Sequence, residues 1–167
     1  MMHLLQTIRF DDSDEHTYPA AARGGEWAIP GGFVFADRAE ADLQGKERQA
    51  FLSGFLGLES FGWSTFATVK EIDDTTLEEL AVRLARHFIE HHGAPGIVAA
   101  RPVAEAELVF AASLAEHPPG TIVRVQRSFD ASGDIRESFA TIERREDVPH
   151  ARIFAIVAEA EEELRRL

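Results

Sequence analysis

The chain lacks cysteine and long apolar runs, and each absence excludes a class of structure. Without cysteine there is no disulfide framework and no thiolate chemistry. No stretch approaches the roughly 18 uninterrupted apolar residues that a membrane span requires. The N-terminal segment turns acidic after Phe10 and carries no long apolar run. We therefore expect no secretory signal, no membrane association and a cytoplasmic location.

Basic residues are also scarce relative to acidic ones. Seventeen Lys and Arg face 29 Asp and Glu, which gives a formal net charge of -12. Such a surface repels nucleic-acid phosphates and anionic head groups over about a Debye length. The arginine pairs at 144–145 and 165–166 both lie beside glutamates, so no basic cluster breaks the pattern. We expect no nucleic-acid partner.

Internal repeats and low-complexity linkers are absent as well, and 167 residues suit a single globular domain spanning 1–167. A chain of this length buries about 70% of its unfolded surface. Alternating polar and apolar residues predict a strand over 4–10, followed by a polar loop over 11–26. WAI and FVFAD flank Pro30-Gly31-Gly32, and this arrangement predicts a hairpin.

The remaining segments predict helices and a second hairpin. Aromatic and β-branched residues at period two predict a strand over 60–72. TIVRVQRSF and IRESFATIE flank the turn DASGD and predict two paired strands. Helical spacing predicts helices over 45–58, 75–92, roughly 102–116, and from Pro149 to about Arg166. IFAIV at 153–157 also fits a short strand, although we favour the helix.

Hairpins dominate this order, and strand–helix–strand units are too few for a parallel sheet. The expected fold is α+β, with a mainly antiparallel sheet of five to six strands and three to four helices packed on it in two layers. Within this pattern, GKERQAFLSGFLGLESFGWSTFATV, EWAIPGGFVF and IRESFATI resemble an uncharacterised bacterial domain family of unknown function. The resemblance implies a bacterial domain and no particular activity.

The segment RHFIEHHG contains one chemical motif. His87, Glu90 and His91 have the H-x-x-E-H spacing that inverted zinc peptidases place on a helix. Histidines four residues apart lie on one side of a helix, and Glu90 could serve as the base toward a zinc-bound water. On a helical wheel His91 falls near the centre of the apolar stripe, His87 on its flank, and Glu90 toward solvent. The motif supports a metal-dependent hydrolase as a minor hypothesis.

Helix capping explains the same histidines. Residues 87, 91 and 92 precede Gly93, where a cation meets the negative end of the helix dipole and imidazole N–H groups can bond the last carbonyls. Zinc needs a third protein ligand, and antiparallel packing of two helices carries His117 roughly 20 Å away. The sequence selects none of the other candidates, which are His3, His16, His150, Glu105 and the glutamates at 159–163. We expect no metal and no cofactor.

A ligand pocket is the other possible site. Four aromatic side chains could line a pocket between sheet and helices: Trp27, Phe33, Phe61 and Trp63. Alternating aromatics on a strand are more often core residues. Gly62-Trp63-Ser64 lacks the second glycine of a nucleophile elbow, so we assign no catalytic residue.

The preferred hypothesis is therefore a non-catalytic interaction or accessory domain. Its basis is the predicted helix 45–58, which is apolar on both sides at Phe51, Leu52, Phe55 and Leu56. A two-layer fold covers one side of a helix, so we expect self-association, as a homodimer, or a protein partner. The alternative is a small-molecule-binding domain or an enzyme. A large enclosed cavity with ionisable groups would favour that alternative, and a flat apolar patch would favour the interaction domain.

Overall fold

The computed structural model describes residues 2–144 and 154–157, in which the chain forms one antiparallel sheet and four α-helices. The helices are α1 (Ser13–Thr17), α2 (Gly45–Ser53), α3 (Asp74–His91) and α4 (Ile97–Leu114). The strands are β1 (Met2–Ile8), β2 (Trp27–Ile29), β3 (Phe55–Gly57), β4 (Trp63–Ser64), β5 (Phe66–Ile72), β6 (Ile122–Phe129), β7 (Ile135–Arg144) and β8 (Phe154–Val157). Over these residues, no helix is both long enough and apolar enough to cross a membrane.

The strands lie in the order β4-β3-β2-β1-β5-β6-β7-β8, and each neighbouring pair is antiparallel. The predicted α+β class and antiparallel sheet are confirmed. The predicted count of five to six strands is wrong, because seven strands precede residue 145 and β8 adds to them. The extra strands β3 and β4 have three and two residues, too few for a period-two pattern to register.

The predicted hairpin around Pro30-Gly31-Gly32 is also wrong. WAI forms β2, but Gly32–Phe35 is a 3-10 helix, and β2 pairs with β1 and β3 instead. Gly31 turns the chain at φ 78°, and a Cβ there would lie 2.6 Å from the Cβ of Leu56. The turn directs the Phe35 ring into the core, where it packs against the rings of Phe51 and Trp63.

Helix α2 ends at Ser53, five residues before the predicted end, and the chain continues as β3. Phe55 and Leu56 therefore lie on a strand and point to opposite faces of the sheet. Phe51, Phe55 and Leu56 are each at most 2% exposed, and Leu52 is half-buried. The apolar surface expected to require a partner is covered within the chain, so that premise for self-association fails.

Helices α3 and α4 match their predictions with shifted starts. The cap of α3 is Asp73, whose carboxylate accepts a hydrogen bond of 2.7 Å from the Thr76 amide, and the helix begins at Asp74, one residue before the predicted start. Helix α4 begins at Ile97, five residues before the expected start, and contains Pro102 in its interior. The hairpin β6–β7 forms as predicted.

The C-terminal prediction is partly tested. Residues 154–157 pair with β7 as β8, so the strand alternative describes them and the favoured helix does not. The remainder of the helix predicted from Pro149 to Arg166 lies outside the described residues.

Apolar side chains are buried on both sides of the central strand. Leu4 and Leu5 are fully buried consecutive residues of β1 and therefore point to opposite faces. Leu4 belongs to a cluster with Leu84 of α3 and Leu108 of α4, whereas Leu5 belongs to a second cluster with Val125 and Phe139. A sheet with one bare face would not bury both leucines, so the expectation of helices on one face alone does not describe β1.

One buried charge joins distant segments of the fold. Arg127 on β6 forms an ion pair of 2.9 Å with Glu137 on β7, and both side chains are fully buried. The other guanidinium nitrogens donate to four backbone carbonyls, those of Ala50, Phe51, Gly54 and Pro30. Three of these carbonyls lie at the C-terminal end of α2, where the helix dipole attracts a cation. The network holds α2 and the segment that follows β2 against the β6–β7 hairpin.

We predict that Arg127→Ala lowers the free energy of unfolding by about 3–5 kcal/mol, because it leaves the Glu137 carboxylate buried without its ion-pair partner. Arg136→Ala is the matched control on the same hairpin. Arg136 pairs with Asp130 in a more exposed position, so its loss should cost below about 1 kcal/mol. Urea denaturation of both variants measures the difference, and equal losses would contradict the proposed role of Arg127.

Candidate functional site

A buried carboxylate organises the loop between β3 and β4. Glu26 is 2% exposed, and its two oxygens accept hydrogen bonds from three backbone amides and one hydroxyl. The donors are the amides of Arg23, Glu59 and Ser60 and the Ser60 hydroxyl, at 2.6–3.0 Å. Burial raises the pKa of Glu26, but these hydrogen bonds outweigh it and hold the pKa below its ordinary value. The carboxylate thus stays ionised and fixes the loop.

Glycines make this close approach possible. A Cβ on Gly57 would lie 2.5 Å from the Glu26 carboxylate, and one on Gly62 would lie 2.5 Å from the backbone of Ala21. Phe61 between them has φ 55°, a left-handed conformation that is rare for an aromatic residue. The sequence FLGLESFGW therefore encodes a loop that holds Phe61 in an otherwise unfavourable conformation.

The loop presents Phe61 to the histidines of α3. The ring of His87 stacks on that of Phe61 with a centroid distance of 3.7 Å and an interplanar angle of 2°. His91 lies 4.7 Å from His87, ring to ring. Phe33 contacts both Phe88 and His92 edge to face. Two of the four predicted pocket residues, Phe33 and Phe61, thus flank the histidine cluster.

Two of the three histidines are shifted toward the neutral form. Burial, followed by the charges of the neighbouring His92 and His91, lowers the pKa of His87 to about 4. Burial also lowers the pKa of His92. A histidine with so low a pKa is neutral at pH 7, so His87 does not act as a charge at the helix end. The helical-wheel placement of His91 near the core is wrong, because its side chain is 60% exposed, whereas Glu90 is exposed as expected.

The cluster borders an open groove of about 820 Å³ along α3. Its walls include Phe61, Arg83, Arg86, His87 and His91. Ser60 supplies the hydroxyl of this lining, and its oxygen is bound to Glu26. Residues 2–144 and 154–157 contain no group of three His, Asp or Glu side chains that could hold a metal ion. The lining residues form no nucleophile–base pair of the kind that hydrolysis requires.

The other two predicted pocket residues lie elsewhere. Trp63 is 7% exposed and packs against Phe35, which makes it a core residue. Trp27 on β2 is half-buried at the edge of the same core. Ser64 is fully buried and donates its hydroxyl to the Phe66 carbonyl, as an ordinary strand serine does.

Helix α4 carries the apolar surface that the sequence placed on α2. Only three of its 18 residues are charged. One side of α4 is buried, and the opposite side is apolar and exposed. We call this side the α4 outer face; its members are Val98, Ala99, Pro102, Val103, Ala106 and Val109. Val98 is 87% exposed and Val109 is 70% exposed. Helices apolar on all sides are normally buried, so this face is unusual in the free chain.

These features define an antiparallel α+β domain with an exposed apolar helix and a histidine–aromatic groove. The chain belongs to a family of unknown function, DUF6505, whose model matches residues 2–162. The resemblance to an uncharacterised family is thereby confirmed, and the bacterial source stays a prediction. No curated protein and no solved structure matches the chain significantly. The function must therefore be inferred from the residues themselves.

Sequence reasoning missed Glu26, Arg127 and Glu137. The sequence contained a signal for Arg127 and Glu137. Each occupies a position of its strand that faces the apolar side, and the hairpin turn pairs the two directly. Glu26 follows Gly24-Gly25 in a polar segment, and nothing in the sequence distinguishes it from an exposed loop acid.

The candidates for a third zinc ligand lie away from the α3 histidines. His3 is on β1, and His117 follows α4. His150 and the glutamates at 159–163 lie outside the described residues.

We predict that Glu26→Gln destabilises the fold by about 1–3 kcal/mol at pH 7, because an amide nitrogen would face hydrogen-bond donors. The folded-state pKa of Glu26 is depressed, so its ionisation stabilises the fold above the ordinary value of 4.5. That contribution is lost as the pH falls through the lower folded-state pKa. The difference in the free energy of unfolding between wild type and variant should therefore become smaller below pH 4.5, as measured by urea denaturation.

The control for this change is Glu59→Gln. Its backbone amide donates to Glu26, but its side chain is exposed, so the stability should change by less than about 1 kcal/mol. If the difference in the free energy of unfolding between wild type and Glu26→Gln stays constant down to pH 3, the role of the ionised Glu26 carboxylate is contradicted.

We also predict that the histidine cluster binds no zinc. His87 is stacked on Phe61 and His91 is exposed, so folding should proceed without metal. Protein purified without a metal-affinity tag should contain no stoichiometric zinc, and EDTA should leave its melting temperature unchanged. One zinc per chain together with a chelator-induced fall of many degrees would refute the prediction, since structural zinc contributes directly to folding.

Proposed function

We propose that the protein is a non-catalytic interaction domain, which associates with a second copy of itself through the α4 outer face. A bacterial source and a cytoplasmic location are part of this proposal. The observation that carries it is the concentration of exposed apolar side chains on one helix. The large hydrophobic residues exposed in the described chain are Met2, Phe10, Ile97, Val98, Val103 and Val109. Four of the six belong to α4.

A self-complementary surface supports a second copy as the occupant. Beside the α4 outer face runs a groove of about 540 Å³ between α3 and α4, whose lining includes Leu77, Ala81, Leu108 and Val109. Each copy thus offers an apolar ridge and an adjacent apolar-floored groove. In a twofold contact the ridge of one copy enters the groove of the other, and both contacts form at once.

The area of the patch indicates a weak dimer. An exposed patch of a few hundred Å² on each copy buries roughly 1,000 Å² in total, which is at the lower limit for a specific interface. The six residues of the α4 outer face carry no charge, whereas the adjacent groove is also lined by Asp74, Glu78, Arg101, Glu105 and Glu116, so these charges must remain solvated at the rim of the contact. We expect a dissociation constant on the order of 10–100 µM.

The response to added salt distinguishes self-association from binding to a basic protein. Two copies that each carry a formal charge of -12 repel one another, and salt screens this repulsion. An apolar contact between acidic copies therefore strengthens with added salt, whereas attraction to a basic protein weakens.

We predict that Val98→Glu and Val109→Glu each weaken the dimer by at least tenfold, because each variant places a charge in the apolar contact. Glutamate is a good helix former, so α4 should remain intact. Gln49→Glu adds the same charge at an exposed position of α2 and should leave the association unchanged. Sedimentation equilibrium at low and high salt measures all four proteins.

Two results would overturn the self-association. The first is a monomer at about 1 mM wild-type protein, which would leave the α4 outer face to a different protein. The second is a dimer that is equally stable in both α4 variants, which would place the contact elsewhere on the chain.

A further inference from the structure

A second groove, of about 830 Å³, lies where β1 and β5 meet the turn that leads into β6. Its volume is within the range of small-molecule sites and it is open to solvent. The lining comprises Gln6–Phe10, Gly24, Gly25, Thr68, Lys70 and Pro118–Ile122. It contains two cations, Arg9 and Lys70, and no carboxylate. In a chain with 29 acidic residues, such a lining is a departure from the overall charge.

The register of the strands explains why no acidic strand residue lies beside Lys70. Directly paired residues lie on one face of a sheet, and the pairs here are Gln6 with Thr68, Leu4 with Lys70, and Phe66 with Arg124. The residues of β1, β5 and β6 that share this face are Met2, Leu4, Gln6, Ile8, Phe66, Thr68, Lys70, Ile72, Ile122, Arg124, Gln126 and Ser128. They include two cations and no acid. The acidic Glu71 lies on the opposite face.

Arg9 holds a readily displaced carboxylate at the edge of the groove. Its guanidinium lies 3.2 Å from the Glu15 carboxylate, and the Glu15 side chain is 56% exposed. The Arg9 side chain is 23% exposed, so solvent reaches the pair mainly from the Glu15 side, and such partly exposed ion pairs contribute little to stability. A ligand anion can therefore replace Glu15 at Arg9 without a large loss, and Glu15 acts as a competitor for the same cation.

Apolar groups complete the groove. Phe10 is 61% exposed, although its ring contacts Phe66 edge to face at 5.4 Å. Pro118 and Pro119 line the opposite side and are also exposed. Thr68 and Gln6 give the floor a polar centre between these walls. The groove thus presents cations, hydrogen-bonding groups and an aromatic surface at one place.

We propose that this groove binds a small organic anion, with its carboxylate or phosphate held by Arg9 and Lys70 and its apolar part against Phe10. The site is separate from the α4 outer face, so it stands whether or not the chain dimerises. The net charge of -12 excludes extended polyanions by repulsion, whereas a small ligand meets only the local positive face.

Two probes, phenyl phosphate and benzoate, test the site and distinguish the two anionic groups. Titration of ¹⁵N-labelled protein should produce saturable amide shifts centred on Phe10, Gly25, Lys70 and Gly120. Benzyl alcohol, which carries the ring without the charge, should bind at least tenfold more weakly than the better anion. Added salt should weaken anion binding.

Variants of matched charge locate the anion. The chain has only two lysines, Lys46 and Lys70, and both are exposed. Lys70→Gln should weaken binding at least fivefold, whereas Lys46→Gln, with the same change in net charge, should not alter it. Glu15→Gln should strengthen binding severalfold by freeing Arg9, and Glu40→Gln, on the exposed 3-10 helix at 40–42, should have little effect.

Three outcomes would overturn the proposal: no saturable shift with either anion, shifts centred on the His87 groove, or equal effects of the two lysine variants. The amide spectrum of each variant reports whether it is folded, and all four substitutions are at exposed positions. A loss of affinity in Lys70→Gln is therefore attributable to the lost charge.

Discussion

The buried guanidinium of Arg127 joins three segments that are far apart in the described part of the chain. It contacts Glu137 ten residues away in sequence and carbonyls of residues 30 and 50–54, which are 73 to 97 residues away. A buried cation is tolerated only where every donor meets an acceptor. Helix α2 must therefore end where its last carbonyls face β6, and the chain must then turn into β3. The early end of α2, which local residue patterns did not reveal, is a consequence of this requirement.

The buried carboxylate of Glu26 likewise fixes the loop between β3 and β4. Glu26 gathers amide donors from both sides of the sheet edge, and the small residues Gly57 and Gly62 allow the backbone to approach. Phe61 is held in a left-handed conformation as a result, and its ring covers His87. The segment FLGLESFGW is therefore explained by packing around a carboxylate, to which its serine donates two hydrogen bonds.

Local patterns predicted the elements that are long and periodic. Helix α3 and the β6–β7 hairpin follow from spacing and turn residues. The single strand predicted over 60–72 is only partly right, because Phe66–Ile72 forms β5, whereas Phe61 lies in a loop and Trp63–Ser64 forms β4 at the other end of the strand order. Strands of two or three residues and the 3-10 helix at Gly32–Phe35 depend on contacts with distant residues, such as Leu56 beside Gly31. The prediction of surplus apolar surface on a helix over 45–58 is wrong, and the exposed apolar side chains lie on α4 instead. The all-round apolar pattern of α4 was the better signal, since Phe55 and Leu56 belong to a strand.

The net charge of the whole chain did not predict the charge of an individual surface. A formal charge of -12 describes the whole chain, but alternation along strands sorts side chains between two faces. On β5, Lys70 and Glu71 are neighbours in sequence and lie on opposite sides of the sheet. The acidic total repels polyanions that meet the whole surface, such as nucleic acid, because they experience the summed field. A ligand small enough to enter one groove meets Arg9 and Lys70 within about a Debye length and is largely screened from the more distant acids. An acidic protein can thus bind a small anion through a single face of its sheet.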